Sequence, residues 1–175
     1  MAIETMTSHI LAARAFKNNL VNLWCGFAKP TPWENEEVPP VENQYETTLD
    51  TPIGYKRFET SSLIVPATAD TPVESVDFVS YDNQSWVFVP DSQAFDRNAR
   101  YVYLSVFVYA GEMPYVTVRQ IGIFQDLKPL PSFGSSQCLL ASQVSDPGYL
   151  MGYENRRSTR FDEDVKIREE IILKF

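Results

Sequence analysis

The sequence predicts a mainly β protein, a β-sandwich or partly open barrel, with a short N-terminal helix and a Pro-rich extended arm. Three features point there. Eleven Phe, nine Tyr and three Trp fall largely in short runs with Val, Ile and Thr, the residues that pack on a pleated surface. Those runs are punctuated by Asp, Asn, Gly and Pro, as in sandwiches and barrels. Four prolines lie within residues 30–40, where each fixes φ, removes a donor and disfavours helix in the residue before it.

Near the N-terminus, Thr7 or Ser8 is expected to cap a helix, because a hydroxyl accepts from the free N–H groups of the first turn. Ala12 or Ala13, Phe16, Leu20 and Leu23 form its apolar stripe. Asn18-Asn19 is the expected exit, and Leu20 to Ala28 reads equally well as extended. Residues 29–57 then read as a Pro-rich acidic arm. It carries Trp33 between prolines and acids, and so large an aromatic is expected to dock on its own chain or on a neighbour. Residues 58–175 read as the β-sandwich, forming one domain with residues 1–28.

Within the sandwich, Ser62 to Pro66 reads as a strand. Val76 to Tyr81, the turn Asp82-Asn83-Gln84 and Ser85 to Val89 read as a hairpin. Arg100 to Ala110 and Tyr115 to Phe124, joined at Gly111-Glu112, read as a second, longer one. Leu127 to Gln137 holds Pro129, Pro131 and Gly134 and reads as loop, and Asp146-Pro147-Gly148 as a turn. In the last fifteen residues the charges suit a helix while Ile171, Leu173 and Phe175 suit a strand. A closing strand is the expectation adopted.

Net charge is −8, but residues 30–96 alone carry −11, thirteen acids against Lys56 and Arg57, which leaves +3 elsewhere. An acidic middle repels phosphate and argues against nucleic acid as a partner. It is either a solvated face or a surface matched to a basic patch on a neighbouring subunit. No apolar run reaches the ~20 residues of a membrane helix, and no secretory leader is evident. The composition suits a soluble globular protein made inside the cell.

The sequence offers no catalytic constellation. There is no Gly-rich phosphate loop and no G-x-S-x-G elbow. His9 is the one histidine, with no nucleophile nearby, and reads as a surface or interface residue. Cys25 and Cys138 exclude a disulfide framework but not a single bridge, and read as small buried hydrophobes. Asp162-Glu163-Asp164 lacks calcium-loop spacing and reads as solvated charge. No metal or other cofactor is expected.

Two stretches carry a resemblance. Leu23 to Trp33, closed by Pro39-Pro40, resembles a segment near the N-terminus of baseplate wedge proteins of contractile-tailed bacteriophages, where an aromatic strand meets Gly, a basic residue and Thr-Pro-Trp. The other comprises Tyr115 to Phe124, with Arg119-Gln120-Ile121-Gly122-Ile123, and Gly148 to Phe175. In it Tyr153-Glu154-Asn155-Arg156-Arg157, Arg160 and Glu169 to Phe175 look like the closing pattern of such virion proteins. The chain departs from the pattern at Ala28-Lys29, where a Gly-Arg-like pair is expected.

The resemblance implies a structural adaptor of the virion tail, assembled in the host cytoplasm. It would act through interfaces with other tail or neck proteins and with copies of itself, without nucleic acid, membrane or cofactor. Interface candidates are Pro30, Pro32, Trp33, Arg156, Arg157 and Arg160, since aromatics and arginines favour such contacts. The three arginines are set either against a neighbour's acids or against Asp162 to Asp164 of their own chain. Two other readings stay open: a neck, collar or fibre-attachment subunit, and a carbohydrate-binding or hydrolytic sandwich with Trp33 or Trp86 stacked on sugar.

Overall fold

A computed structural model describes residues 2–68, 77–163 and 166–175. The mainly β class with an N-terminal helix is borne out. Helix α1 spans Met6–Asn18 and buries Ile10, Ala13 and Phe16 along one stripe. Its cap is Thr5, two residues before the expected Thr7: Thr5 has extended φ/ψ and its hydroxyl accepts from Ser8 N–H at 3.3 Å. Asn19 closes the helix, donating its backbone N–H to Phe16 O. The expected stripe therefore stops at Phe16, because Leu20 opens a short 3-10 turn and Leu23 begins a strand.

The strands are β1 (Leu23–Ala28), β2 (Pro52–Arg57), β3 (Thr60–Pro66), β4 (Phe78–Tyr81), β5 (Gln84–Val89), β6 (Tyr101–Val108), β7 (Thr117–Gln125), β8 (Lys128–Pro129), β9 (Cys138–Leu140), β10 (Val144–Asp146), β11 (Tyr149–Arg160) and β12 (Ile167–Lys174). Two five-stranded sheets result, ordered β12-β6-β3-β5-β4 and β11-β7-β1-β2-β9, with β8 and β10 paired separately. The chain forms two compact units. One holds Met1–Leu20, Thr60–Ser105 and Glu170–Phe175; the other holds Val21–Glu59 and Val106–Glu169.

In the first unit, β4 and β5 form the expected hairpin. Its turn is tighter than predicted: Asp82 and Asn83 alone connect Tyr81 to its partner Gln84, both with positive φ. A two-residue hairpin of this hand needs left-handed backbone at both positions, which Asp and Asn tolerate. Val76, expected at the start of this hairpin, lies outside the described residues. Ile64, Trp86 and Tyr103 form a buried cluster against which Ile172 packs. Trp86 is edge-on to Tyr101 at 5.0 Å, only 9% exposed, and so offers no face to a sugar. Phe175 packs its ring on Phe16 at 5.1 Å and its N–H donates to Arg100 O at 2.9 Å.

In the second unit, β7 lies between β1 and β11 and is buried along nearly its whole length. The expected hairpin of β6 and β7 does not form. β6 pairs with β3, whereas β7 pairs with β1 and β11. The connection from Val108 includes Gly111 at φ +79 and Pro114, which cannot donate to a ladder. A turn signal marks where a strand stops, not which strand it rejoins. Gly26 and Gly122 face each other across β1 and β7. A Cβ on Gly26 would lie 2.5 Å from the Phe124 ring, and one on Gly122 would lie 2.9 Å from Leu150 and 3.1 Å from Leu49. These glycines seat a cluster of Trp24, Leu49, Tyr55, Phe124 and Leu139.

The closing strand is observed as β12. Truncation after Glu170 removes buried Ile171, the Ile172 packing and the Phe175–Phe16 contact. At ~1.5–3 kcal/mol per buried apolar side chain, the loss is expected to exceed about 4 kcal/mol. A urea or thermal melt of the first unit's tryptophan signal reads it directly; an unchanged midpoint would refute the packing role.

Candidate functional site

The residues singled out by sequence converge on the second unit, where β1 ends at Ala28 and the chain returns at Pro52 as β2, its antiparallel neighbour. The segment 29–57 is therefore not one open arm. Residues 52–57 are strand, and residues 29–51 form a loop closed at its base. Lys29 N–H donates to Asp50 O at 2.8 Å, and Lys29 Nζ to Asp50 Oδ2 at 2.7 Å. Lys29 and Thr51, at the two ends, take φ of 60° and 54°, turning the backbone sharply out of and back into the sheet. Hydrogen bonds from Lys29 and Thr51 hold the Asp50 carboxyl below its ordinary range. A depressed folded value means that this contribution is complete above about pH 4 and fades as pH falls through that lowered value.

Two Asx turns shape the loop between these ends. Asn35 Oδ1 accepts from Glu37 N–H, and Asn43 Oδ1 from Tyr45 N–H, so short polar side chains do locally what a backbone ladder would do. The first turn is fastened to β7. Arg119 is 8% exposed; its Nε donates to Glu36 Oε1 at 2.7 Å and its guanidinium to Pro30 O at 2.6 Å. The same Glu36 oxygen accepts Trp33 N–H at 3.1 Å. The half-buried Trp33 donates its indole N–H to Arg156 O at 2.9 Å, and Lys29 Nζ stands 5.1 Å from its ring.

The second turn is fastened to β11, the edge strand of its sheet. Asn155 N–H donates to Glu42 Oε1 at 2.8 Å and its side-chain amide to Pro40 O at 2.9 Å. Asn43 N–H donates to the Tyr153 hydroxyl at 2.7 Å. Gln120 links the loop's return to β11: its carbonyl accepts Asp50 N–H, and its amide donates to Asn155 Oδ1, each at 2.8 Å. With Trp33 on Arg156 O, these contacts occupy backbone groups of β11 that an open edge would offer to another strand.

The three arginines behave differently. Arg156 bridges Glu154 and Glu169, each at 2.7 Å, and Glu169 is 5% exposed. It is part of a half-buried network. Arg157 meets Glu37 at 3.1 Å and Arg160 meets Asp162 at 3.8 Å, and both arginine side chains are 70% exposed. Of the run Asp162-Glu163-Asp164, only Asp162 is seen to pair with one of these arginines, and Asp164 lies outside the described residues. Pro32 is exposed, while Pro30 takes part through its carbonyl. Sequence reasoning missed Glu36, Glu42, Gln120, Tyr153 and Asn155 as loop fasteners, and gave Arg119 no role of its own. One signal was present: Arg119-Gln120 interrupts an otherwise apolar strand, which requires partners for both.

Groups suited to nucleophilic chemistry are muted. Cys25 and Cys138 are both free. Burial pushes the Cys25 thiol well up and, with Glu112 adding to it, the Cys138 thiol up to about 11, so neither carries the reactive thiolate at neutral pH. His9 Nε2 lies 3.6 Å from Glu4 Oε2. What the site provides is an acidic loop held by complementary cations.

Glu36→Gln leaves the Arg119 cation buried without its carboxylate. Fully buried pairs lose ~3–5 kcal/mol on removal of one partner. Because the Glu36 side chain keeps 37% exposure, a loss of about 2–3 kcal/mol is expected, partly recovered by adding Arg119→Met. A double-mutant cycle by urea denaturation measures both; additive losses would refute the pairing.

Across residues 1–175 the sequence matches the family described as "Baseplate wedge 3 tail fiber network component". It is also similar to "Virion protein 3" of Enterococcus phage phiEF24C, 33% identical over 177 residues that cover 99% of this chain and 94% of that protein. The chain thus belongs to the baseplate wedge 3 tail fiber network component family, structural proteins of the phage virion.

Proposed function

We propose that this protein is an adaptor of the baseplate wedge whose work is done by protein–protein interfaces and not by catalysis. The observation that carries the reading is the loop 29–51. A long excursion between two adjacent strands is held in one shape by Arg119, Lys29, Gln120 and the edge strand β11. Loops of this length in compact units are usually functional, and a pre-ordered one loses little entropy on binding. The muted thiols fit the same reading. Its partners would be other tail and fibre-network proteins and further copies of itself, met as the tail assembles in the host cytoplasm, with no part for nucleic acid, membrane or cofactor.

Arg157 and Arg160 are the better interface candidates among the arginines, since Arg156 is committed to Glu154 and Glu169. Exposed ion pairs contribute only ~0–1 kcal/mol to folding. Arg157→Glu with Arg160→Glu should therefore leave the melting temperature within a few degrees, yet reduce incorporation into particles at physiological salt. Gold-labelled protein in purified virions tests the location, and quantitative mass spectrometry of variant particles tests the interface. Labels away from the baseplate would refute the wedge reading. Normal incorporation of the double reversal at low salt would remove the arginines from it.

A further inference from the structure

The first unit holds a cavity of about 540 Å³ walled by Met6, Val65, Pro66 and Tyr101, with Arg97 and Arg100 among its lining residues. Backbone bonds fix where the two arginines stand. Arg97 N–H donates to Gln93 O at 3.0 Å, Ala99 N–H to Ala94 O at 2.9 Å, and Arg100 O accepts Phe175 N–H at 2.9 Å. Ala94 and Ala99 are buried. Trp86 holds the Tyr101 ring edge-on at 5.0 Å. The Arg100 guanidinium lies 5.7 Å and Lys174 Nζ 5.9 Å from the centre of that ring.

Unmatched charge sets this cavity apart. Lys17, in the same unit, is met by Asp91 at 2.5 Å. Arg97, Arg100 and Lys174 have no carboxylate at ion-pair distance among the described residues, and the described lining holds no Asp or Glu. A guanidinium cannot shed its charge, so a carboxylate brought by another molecule is favoured beside it, most of all where apolar walls exclude water. A second cavity that Arg97 also lines carries Asp77 and Asp91. Those acids repel a polyanion such as nucleic acid but leave room for a short segment with one or two carboxylates. This chain's own loop is a poor source of that segment. Its carboxylates next to exposed apolar residues are engaged, Glu37 on Arg157, Glu42 on Asn155 N–H and Glu46 on the Asn43 amide. Asp96 adjoins Arg97 in the chain, so a second copy presenting it would bring an arginine along.

We infer that this cavity takes an acidic segment of a different tail protein. One large apolar side chain enters between Met6, Val65, Pro66 and Tyr101, and a neighbouring carboxylate meets Arg97 and Arg100. The apolar side chain supplies burial. The planar guanidinium accepts a carboxylate through two parallel N–H···O bonds, which sets orientation and rejects basic partners. The inference rests on the adaptor reading and names one of its contacts. Arg157 and Arg160 belong to the other unit and take no part in it.

The test places a photoreactive p-benzoylphenylalanine at Met6, which is 40% exposed, in the full chain assembled into particles during infection. Irradiated virions should yield an adduct with a virion protein of another sequence, at a segment that sets Asp or Glu next to a large apolar residue. Adducts only to this chain, its own or a second copy's, or no more adducts than from a control at exposed Ser135, would overturn the inference. In parallel, Arg97→Glu with Arg100→Glu should melt like the wild type, yet its copies per particle should fall by about ten-fold or more, the scale of losing one hot spot. Unaltered incorporation would overturn it. If the double variant melts early, Arg97→Glu alone, at an exposed position, carries the comparison. Wild-type protein missing from isolated baseplates would instead defeat the adaptor reading, whereas wild-type protein present there with the reversal incorporated normally would defeat only this docking site.

Discussion

Arg119 sits within β7 at 8% exposure, and an arginine cannot shed its charge to suit an apolar site. Its guanidinium must therefore be met by oxygens that come from elsewhere in the chain. They come from Glu36 and from the carbonyl of Pro30, both on the segment that leaves β1. The charge buried in the strand obliges that segment to fold back. An acidic, proline-rich stretch that would otherwise be solvated is thereby tied to the sheet, and Trp33 follows because its own N–H shares the Glu36 oxygen.

Both ends of the loop are tied together by Lys29 and Asp50, and the return adds an apolar anchor. At the return, Leu49 is 3% exposed and lies over Gly122, so a missing side chain on β7 makes the seat for an apolar anchor. The same glycine receives Leu150 from β11. At the exit, the fasteners are ionic and hydrogen-bonded. Apolar anchorage sets where the loop ends, while directional polar contacts set which way its turns face. The edge strand benefits as well, since groups on Asn155 and Arg156 that would invite strand addition are taken by Glu42, Pro40 and Trp33.

Local chemistry made much of this legible. The helix exit at Asn18-Asn19, the Asp82-Asn83 turn and the alternation in Ile171 to Phe175 each express a constraint contained within a few residues. The supposed β6–β7 hairpin failed because Gly111 and Pro114 end a strand equally well whether the chain turns back or passes to another sheet. How the Pro-rich arm closes on itself was out of reach for a related reason. Proline fixes φ, but the loop's closure depends on Glu36 meeting Arg119 across 83 positions and Asn155 meeting Glu42 across 113, and no local pattern encodes such pairs. Arg156, grouped with Arg157 and Arg160 by proximity in sequence, is separated from them by burial and by two carboxylate partners.

The uneven charge of the chain acquires a different meaning once these pairs are known. A −11 segment beside a +3 remainder suggests at first that complementarity is held in reserve for a neighbour. Much of the loop's share is spent inside the molecule: Glu36 on Arg119, Glu37 on Arg157, Asp50 on Lys29. Those pairs are not equivalent, because Arg119 is desolvated whereas Arg157 and Glu37 are both largely exposed. A buried cation holds its carboxylate against competition, since releasing it leaves a charge without water or partner. An exposed pair in high dielectric exchanges partners at little cost. The loop can thus keep its shape through Arg119 even where the exposed Arg157–Glu37 pair opens, which separates the contact that orders the loop from one that merely decorates it.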